Sequence, residues 1–143
     1  MRMGNTRKYL SYKFAFEQMR RAIDHGFYLE AVMIAESLIS DRLQSTLRDD
    51  GEVRKVAGKG HISLGQLIKL AKQAPVPFPD PQGLDDWRKA RNRVAHALAK
   101  SAPGSPTMEV AEFIQLASRT ANEGVELARQ AKTWSRKARP VPR

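Results

Sequence analysis

The sequence predicts an all-α fold, an up-and-down bundle of four long helices with one short extra helix. In each long segment apolar residues recur at intervals of three and four, which is the spacing of one helix face. No segment alternates apolar and polar residues in the two-residue period of a β-strand. A chain of 143 residues that is 41% hydrophobic has the size of one domain. We therefore expect a helical domain over residues 1–131 and a basic tail over residues 132–143.

The first two predicted helices differ in how much of their circumference is apolar. The first, residues 7–25, has one apolar stripe and ends at Gly26, a residue that favours helix termination. That stripe consists of Tyr9, Tyr12, Phe16, Met19 and Ile23. The second, residues 27–48, is apolar around most of its surface, through Leu29, Val32, Met33, Ile34, Leu38, Ile39, Leu43 and Leu47. Such a helix is expected to be central and covered on several sides.

The middle of the chain is predicted to contain the short helix between two irregular segments. Residues 49–62, DDGEVRKVAGKGHI, are predicted to form a loop because glycine and charge dominate them. Ser63 and Gln66 then have the S-x-x-Q form of a capping box, which opens a short helix ending near Ala74. Residues 75–83, PVPFPDPQG, contain four prolines and are predicted to form an extended connector.

The last two long helices are separated by the segment SAPGSP, residues 101–106. Asp85 and Asp86 favour the positive N-terminal end of a helix that continues to about Lys100. Ser105 and Pro106 are suited to the N-cap and first turn of a final helix over residues 107–136. That helix has a narrow seam of mostly small residues: Val110, Ile114, Ala117, Ala121, Gly124, Ala128 and Ala131. The seam favours close approach of another helix, either within the bundle or in a dimer.

Charge and cysteine content narrow the classes of partner and compartment. Lys and Arg number 25 against 15 Asp and Glu, a net charge of +10 that favours a polyanion, nucleic acid before an anionic membrane. The predicted tail supplies five of the ten excess positive charges, on Lys132, Arg136, Lys137, Arg139 and Arg143. The absence of cysteine excludes disulfides and thiolate zinc sites. Because no segment reads as a signal peptide or membrane span, we expect a soluble cytoplasmic protein without membrane association.

The segment KARNRVAHAL, residues 89–98, places polar groups in an otherwise regular amphipathic helix. Arg91 falls on the apolar arc formed by Leu84, Trp87, Ala90, Val94 and Leu98. A buried guanidinium needs an anion, and the second helix offers Glu36 and Asp41, of which Glu36 is preferred because its neighbours are more apolar. Asn92 and His96 share an adjoining face that the long Arg91 side chain can reach. Spacing alone favours a structural ion pair with an exposed histidine nearby.

The order Arg91-Asn92-Arg93-Val94-Ala95-His96 resembles the signature of the HEPN superfamily: an arginine, a polar residue, three further residues and a histidine. The strongly apolar second helix and the motif's position late on the penultimate long helix are also similar to HEPN domains. The resemblance extends over residues 9–131. It implies a homodimer in which two motifs face each other, and a metal-independent endoribonuclease of the toxin or antiviral-defence type. Some such proteins act with a nucleotidyltransferase antitoxin, and other members are non-catalytic binding modules.

The resemblance also implies roles for individual residues. Two His96 imidazoles would act as base and acid, because histidine titrates near neutrality. Arg91 would bind the phosphate, and Asn92 would bind the phosphate or orient the histidine. Arg88, Lys89 and Arg93 would contact RNA or face solvent, with Glu36 and Asp41 in supporting positions. The chemistry needs no cofactor. The alternative is a non-catalytic HEPN-like module that binds nucleic acid or a partner protein.

The remaining histidines and the tryptophans are predicted to have structural roles. His25 lies at the end of the first helix, where a cation meets the favourable end of the helix dipole. His61 lies in the basic loop, where an ordinary surface histidine is more common than one that contacts RNA. The three histidines share no metal-ligand spacing, so no metal site is predicted. Trp87 and Trp134 belong to no aromatic cluster and are predicted to pack in the core.

Overall fold

The computed structural model describes residues 3–48, 51–57, 62–97 and 108–138, and all regular secondary structure in these ranges is helical. The prediction of an all-α chain is therefore confirmed. The helices are α1 (Met3–Asp24), α2 (Tyr28–Thr46), α3 (Gly51–Ala57), α4 (Leu64–Lys72), α5 (Pro81–Ala97) and α6 (Val110–Ala138). Over these ranges no helix combines the length and apolar composition required to cross a bilayer.

Two local signals in the sequence end and begin helices as predicted. Gly26 follows α1 with a φ of +79°, a left-handed conformation that glycine adopts without strain. At the start of α4, Ser63 Oγ accepts from Gln66 N at 3.2 Å and Gln66 Oε1 accepts from Ser63 N at 3.0 Å. This reciprocal pair is the predicted capping box, and it satisfies two backbone N–H groups that the helix itself cannot.

Two of the predicted irregular segments contain helix. The loop prediction was wrong for residues 51–57, because α3 forms there and buries Val53 in the core. The connector prediction was wrong from Pro81 onward, since α5 begins at that residue. Asp80 Oδ1 accepts from Gly83 N at 2.9 Å and so caps the helix, while Pro81 occupies a first-turn position that needs no N–H donor. The helix therefore begins four residues before Asp85, which the sequence had placed at its N-terminal end.

The first part of the predicted basic tail continues the final helix, whose predicted end was residue 136, and is helical as far as Ala138. Trp134 is buried, donates from Nε1 to the carbonyl of Val76 at 2.7 Å, and meets Phe78 edge to face. Ser135 is also buried, with its hydroxyl 2.7 Å from that of Thr46. These contacts hold the final turns of α6 on the domain. The prediction that the final helix begins at residue 107 was wrong, because Met108 and Glu109 are not helical and α6 begins at Val110. The residues of the predicted N-cap, 105–106, the helix end at residues 98–100 and the tail at residues 139–143 lie outside the described residues.

The centre of the bundle is the contact between α2 and α6, which run parallel. Tyr28 at the start of α2 packs near Leu116, whereas Thr46 at its end contacts Ser135. Helix α5 runs antiparallel to α6, because its Trp87 bonds to Thr120 and its later residue Val94 packs with Leu116. Helix α1 packs on α2 and α6, and α4 packs on α5 and α2. The apolar circumference of α2 is thus largely covered, as predicted, although Leu29 and Met33 remain exposed.

The seam of small residues on α6 packs against other helices of the same chain over most of its length. Its members from Ala117 to Ala131 are buried, whereas Val110 and Ile114 are exposed. The helices approach closely at Gly124, where an added methyl group would lie 2.9 Å from Cβ of Ala35 and 3.1 Å from Cζ2 of Trp87. Carbon atoms do not pack at such distances. The glycine is therefore required by the close contact of α2, α5 and α6.

Gly124→Ala is expected to lower the free energy of unfolding by about 1–2 kcal/mol, a balance between overpacking of the core and the better helix propensity of alanine. Urea denaturation followed by circular dichroism measures the change. Gly51→Ala is the matched control, because Gly51 is also helical and nothing lies within 4 Å of its added methyl group. An unchanged midpoint for Gly124→Ala would contradict the close packing at this position.

Candidate functional site

Arg91 is held on the inner side of α5 by an ion pair with α2. Leu84, Trp87 and Val94 are buried and dock this side of the helix onto the bundle. Arg91 Nη2 lies 2.5 Å from Oε1 of Glu36, and the two side chains are 20% and 21% exposed. Arg91 Nε is buried and has no hydrogen-bond partner in the structure. The guanidinium is thus positioned by one carboxylate while part of it faces solvent.

Asp41, the other carboxylate considered as a partner for Arg91, lies on the opposite side of α2 and contacts α1. The Tyr12 hydroxyl is 2.9 Å from Asp41 Oδ2, and Lys8 Nζ is 3.5 Å from the same oxygen. Positions 36 and 41 are about 140° apart around a helix of 3.6 residues per turn, so they cannot face the same neighbour. The prediction that Asp41 supports Arg91 was therefore wrong, and Glu36 is the carboxylate that pairs with this arginine.

His96 lies on a different side of α5 from Arg91, and Asn92 lies between them around the helix. The His96 side chain is exposed and that of Asn92 is half-buried. Arg91 and His96 are five positions apart and so also differ by about 140° around the helix. The expectation that the three groups converge assumed that the Arg91 side chain bends toward the outer face, but Glu36 draws it inward. The polar groups of the motif therefore occupy two sides of α5.

The three basic residues in and next to the motif differ in whether they form an ion pair with Asp85. Arg88 Nη2 lies 2.9 Å from Asp85 Oδ1, and Lys89 Nζ lies 3.5 Å from Asp85 Oδ2. The hydrogen bond from Arg88 lowers the pKa of the Asp85 carboxyl, with the nearby positive charges acting in the same direction. Arg93 is exposed. Of the three predicted RNA-contacting residues, Arg93 is thus the one that is not paired with Asp85.

The tryptophans and His25 have the structural roles predicted for them. Trp87 is buried and donates from Nε1 to the carbonyl of Thr120 at 2.9 Å, which fixes α5 on α6. Trp134 is buried against Phe78. His25 lies just after α1 with Nδ1 at 2.8 Å from the carbonyl of Arg21. His61 lies outside the described residues.

A groove between α1, α2 and α6 was missed by the sequence reasoning. It has a volume of about 460 Å³, and we call it the α1 groove. Six basic side chains line it: Lys8, Lys13 and Arg20 of α1, Arg42 of α2, and Lys132 and Arg136 of α6. Tyr9, Tyr12 and Phe16 line it as well, although the helical spacing had assigned all three to the buried stripe of α1. Tyr12 and Phe16 are half-buried, whereas Tyr9 is 63% exposed, so the assignment to a buried stripe was wrong for Tyr9.

No protein-family model, curated protein or solved structure matched the chain in comparisons with known proteins. Within the described ranges, no three side chains of His, Asp or Glu form a group that could hold a metal ion. The candidate site consists of the residues of α5, their contacts with α2, and the exposed surface beside them.

Proposed function

We propose that this protein is a metal-independent endoribonuclease whose active site is completed by a second copy of the chain. The observation that carries the proposal is a partly buried arginine, fixed by Glu36, in the motif that also holds the exposed His96. Arginine is suited to bind a phosphate and to stabilise charge on it, and histidine is suited to transfer protons near neutral pH. The resemblance of residues 91–96 to the HEPN signature supports the same chemistry.

The position of Arg91 suits phosphate binding. Its ion pair restrains the side chain before any ligand arrives, which lowers the entropic cost of binding. One fifth of the side chain remains exposed, and an anion that approaches there meets a guanidinium with donors in a planar fork. Glu36 then has the role of a positioning residue that orients Arg91.

The separation of Arg91 and His96 is the reason for proposing a composite site. Because the two side chains lie about 140° apart on one helix, an imidazole from another molecule is better placed to act beside Arg91. Leu29 and Met33 lie on the same face of α2 as Glu36, seven and three positions before it, and both are more than 40% exposed. These side chains form an apolar surface next to the ion pair, which suits a two-fold symmetric contact between identical chains.

The proposed reaction is transesterification at a phosphodiester. One His96 removes the proton from the 2′-hydroxyl, the 2′-oxygen attacks phosphorus, and the bond to the 5′-oxygen breaks. The second His96 donates a proton to that leaving oxygen. Arg91 stabilises the additional charge on phosphorus, and Asn92 donates to the phosphate. The products are a 2′,3′-cyclic phosphate and a free 5′-hydroxyl. Arg93 contacts the RNA backbone, together with Arg88 and Lys89, which also form ion pairs with Asp85.

The same HEPN resemblance makes a toxin or an antiviral-defence effector the favoured biological setting, with an antitoxin or nucleotidyltransferase as a possible partner. The second candidate function is a non-catalytic HEPN-like module that binds nucleic acid or protein. The engagement of Arg91 by Glu36 and the basic α1 groove favour that candidate, since neither requires cleavage.

Incubation of the purified protein with labelled single-stranded RNA in EDTA is expected to yield fragments that end in a 2′,3′-cyclic phosphate. An RNA with one deoxyribose at the cleaved position should remain intact there, because the attacking hydroxyl is missing. Gel electrophoresis and mass spectrometry identify the products, and sedimentation gives the oligomeric state. RNA that is bound but stays whole would reject the nuclease and favour the binding module.

A further inference from the structure

The α1 groove has the chemical features of a site for single-stranded nucleic acid, and it lies apart from the motif on α5. No residue of α5 lines the groove, which is bounded by α1, α2 and α6. The described part of α6 brings Lys132 and Arg136 to the groove because buried Ala131 and Trp134 fix these turns on the core. The first part of the predicted basic tail is therefore one wall of a folded site.

The charge of the groove is strongly positive. Its lining contains six basic side chains and one acidic side chain, Glu17. Lys8 is partly neutralised by Asp41, whose Oδ2 lies 3.5 Å from its Nζ. Lys13 and Arg20 are exposed, so their charges are available to a ligand in solution. An arrangement of this kind favours a partner with several regularly spaced negative charges, as in a nucleic-acid backbone.

The floor of the groove contains a cation held over an aromatic ring. The guanidinium carbon of Arg42 lies 3.8 Å from the centre of the Tyr12 ring, and Arg42 Nε is buried with no hydrogen-bond partner in the structure. The Tyr12 hydroxyl lies 3.0 Å from the carbonyl of Leu38 and 2.9 Å from Asp41 Oδ2, which fixes the ring. Burial, with the hydrogen bond to Asp41, raises the pKa of the Tyr12 phenol. The ring therefore stays neutral and holds Arg42 in place.

Tyr9 supplies a ring that is free to stack. It lies on the rim of the groove, and nearly two thirds of its surface is exposed. Aromatic faces next to a cationic groove bind unpaired bases, because every base presents a π-face for stacking while its phosphates meet the cations. A duplex buries its base faces and would leave Tyr9 unused. Arg42 is half-buried with its Nε inside the protein, so it is less accessible to a flat bilayer surface than to a strand that enters the groove.

We propose that the α1 groove binds single-stranded nucleic acid, with its phosphates on Lys13, Arg20 and the α6 cations and with one base stacked on Tyr9. The inference does not require the cleavage reaction, since no group of the proposed active site lies in the groove. RNA and DNA share the backbone and the base faces that the groove recognises. The two are distinguished by comparing a ribose strand with a deoxyribose strand of the same length.

The test measures fluorescence anisotropy of labelled oligothymidylate and oligouridylate strands of about twelve nucleotides, within the size range of known single-strand sites. The DNA strand lacks the 2′-hydroxyl and so cannot be cut by the proposed reaction. The RNA strand is measured with the His96→Ala protein. Equal affinities mean recognition of the shared backbone and base faces alone, and a difference means an added contact with the 2′-hydroxyl of the RNA strand or with the thymine methyl group of the DNA strand. Either result agrees with the proposal.

Two substitutions separate stacking from charge. Tyr9→Ala is expected to weaken binding of both strands roughly tenfold, as expected for the loss of one base–aromatic stack. Lys13→Ala is expected to reduce the slope of log affinity against log salt concentration by about 0.7, the value for one phosphate contact on a single strand. Both positions are exposed, so the helical circular dichroism spectrum should not change.

Phe27→Ala and Lys69→Ala are the matched controls, because Phe27 is 60% exposed, Lys69 is exposed, and neither lines the groove. Their affinities should equal that of the unmodified protein. The proposal is overturned if the controls weaken binding as much as the groove variants do. It is also overturned if vesicles containing phosphatidylserine bind through Tyr9 while the oligonucleotides do not. If the protein binds oligothymidylate but does not cleave RNA in EDTA, the proposed nuclease activity is rejected and the proposed binding in the α1 groove is retained.

Discussion

His96→Ala is expected to reduce RNA cleavage by about 10²–10⁴-fold, the contribution of general acid–base catalysis, and to leave the fold intact. In a homodimer the substitution removes both imidazoles, so neither the base nor the acid remains. The side chain is exposed in the structure, and exposed substitutions of this kind change stability by no more than about 0.5 kcal/mol. Rates of cleavage of labelled RNA, measured beside urea denaturation of the same protein, check both expectations.

His25→Ala is the matched control for this experiment. His25 is also an exposed histidine, and it lies after α1, away from the motif. Its replacement should leave the cleavage rate unchanged. Cleavage by the His96→Ala protein at the unmodified rate would show that His96 has no part in catalysis. An equal loss of rate in both variants would show that the effect is not specific to His96.

Mixing the two proteins tests the composite site more directly. If both imidazoles of a dimer are needed, a heterodimer with one His96→Ala chain is inactive. Activity should then fall as the square of the fraction of unmodified chain after the subunits exchange. A linear decrease would mean that each cleavage event needs only one imidazole. The same mixture made with His25→Ala protein should show no inhibition.

His96 gives a cleaner test than Arg91. Removal of the arginine would leave Glu36 partly buried without its counter-charge, at a cost of about 1–3 kcal/mol for the stranded acceptor. A loss of cleavage in Arg91→Ala would therefore combine a catalytic effect with a folding effect.

Trp87→Ala is expected to lower the free energy of unfolding by about 3–5 kcal/mol, the range for removal of a fully buried large aromatic side chain. Trp87 is 2% exposed, contacts α6 at Gly124, and donates from Nε1 to the carbonyl of Thr120. Its loss removes apolar contact, one hydrogen bond and the main anchor of α5 together. Because small domains are stable by about 5–15 kcal/mol in total, the variant should unfold at a much lower urea concentration.

Trp87→Phe is the control for size, because it keeps most of the ring and loses only the indole N–H and part of the contact. We expect its denaturation midpoint to lie between those of the unmodified protein and Trp87→Ala. A loss of less than about 1 kcal/mol in Trp87→Ala would contradict the burial of this residue. Since α5 carries Arg91 and His96, both site residues should also lose their positions when the anchor is removed.

Much of the helical architecture was predictable because its signals are local. The three- and four-residue spacing of apolar side chains, the turn at Gly26, and the capping box of Ser63 and Gln66 act within one or two turns of chain. The prediction failed where a weak local signal was overridden. Residues 51–57 form α3 because Val53 can be buried against the rest of the core, and such a contact leaves no periodic pattern in seven residues.

The candidate site was predictable only in part. The motif identified Arg91, Asn92 and His96 as residues of interest, and the apolar neighbours of Glu36 correctly favoured it as the partner of Arg91. The α1 groove was not predictable, since its walls come from helices at both ends of the chain. The spacing of Tyr9 fits a buried stripe as well as it fits a rim, because periodicity identifies a face and not what covers it.

By itself, the sequence determined that this chain is helical, where most helices begin or end, and that a permanently charged arginine lies on an apolar face. The tertiary structure decided between Glu36 and Asp41 as the partner of this arginine, and it alone brought basic and aromatic side chains of α1, α2 and α6 into one groove. The physical reason is the range of the forces involved. Helix formation depends on neighbours a few residues away, whereas an ion pair or a groove requires two distant helices to present particular faces to each other.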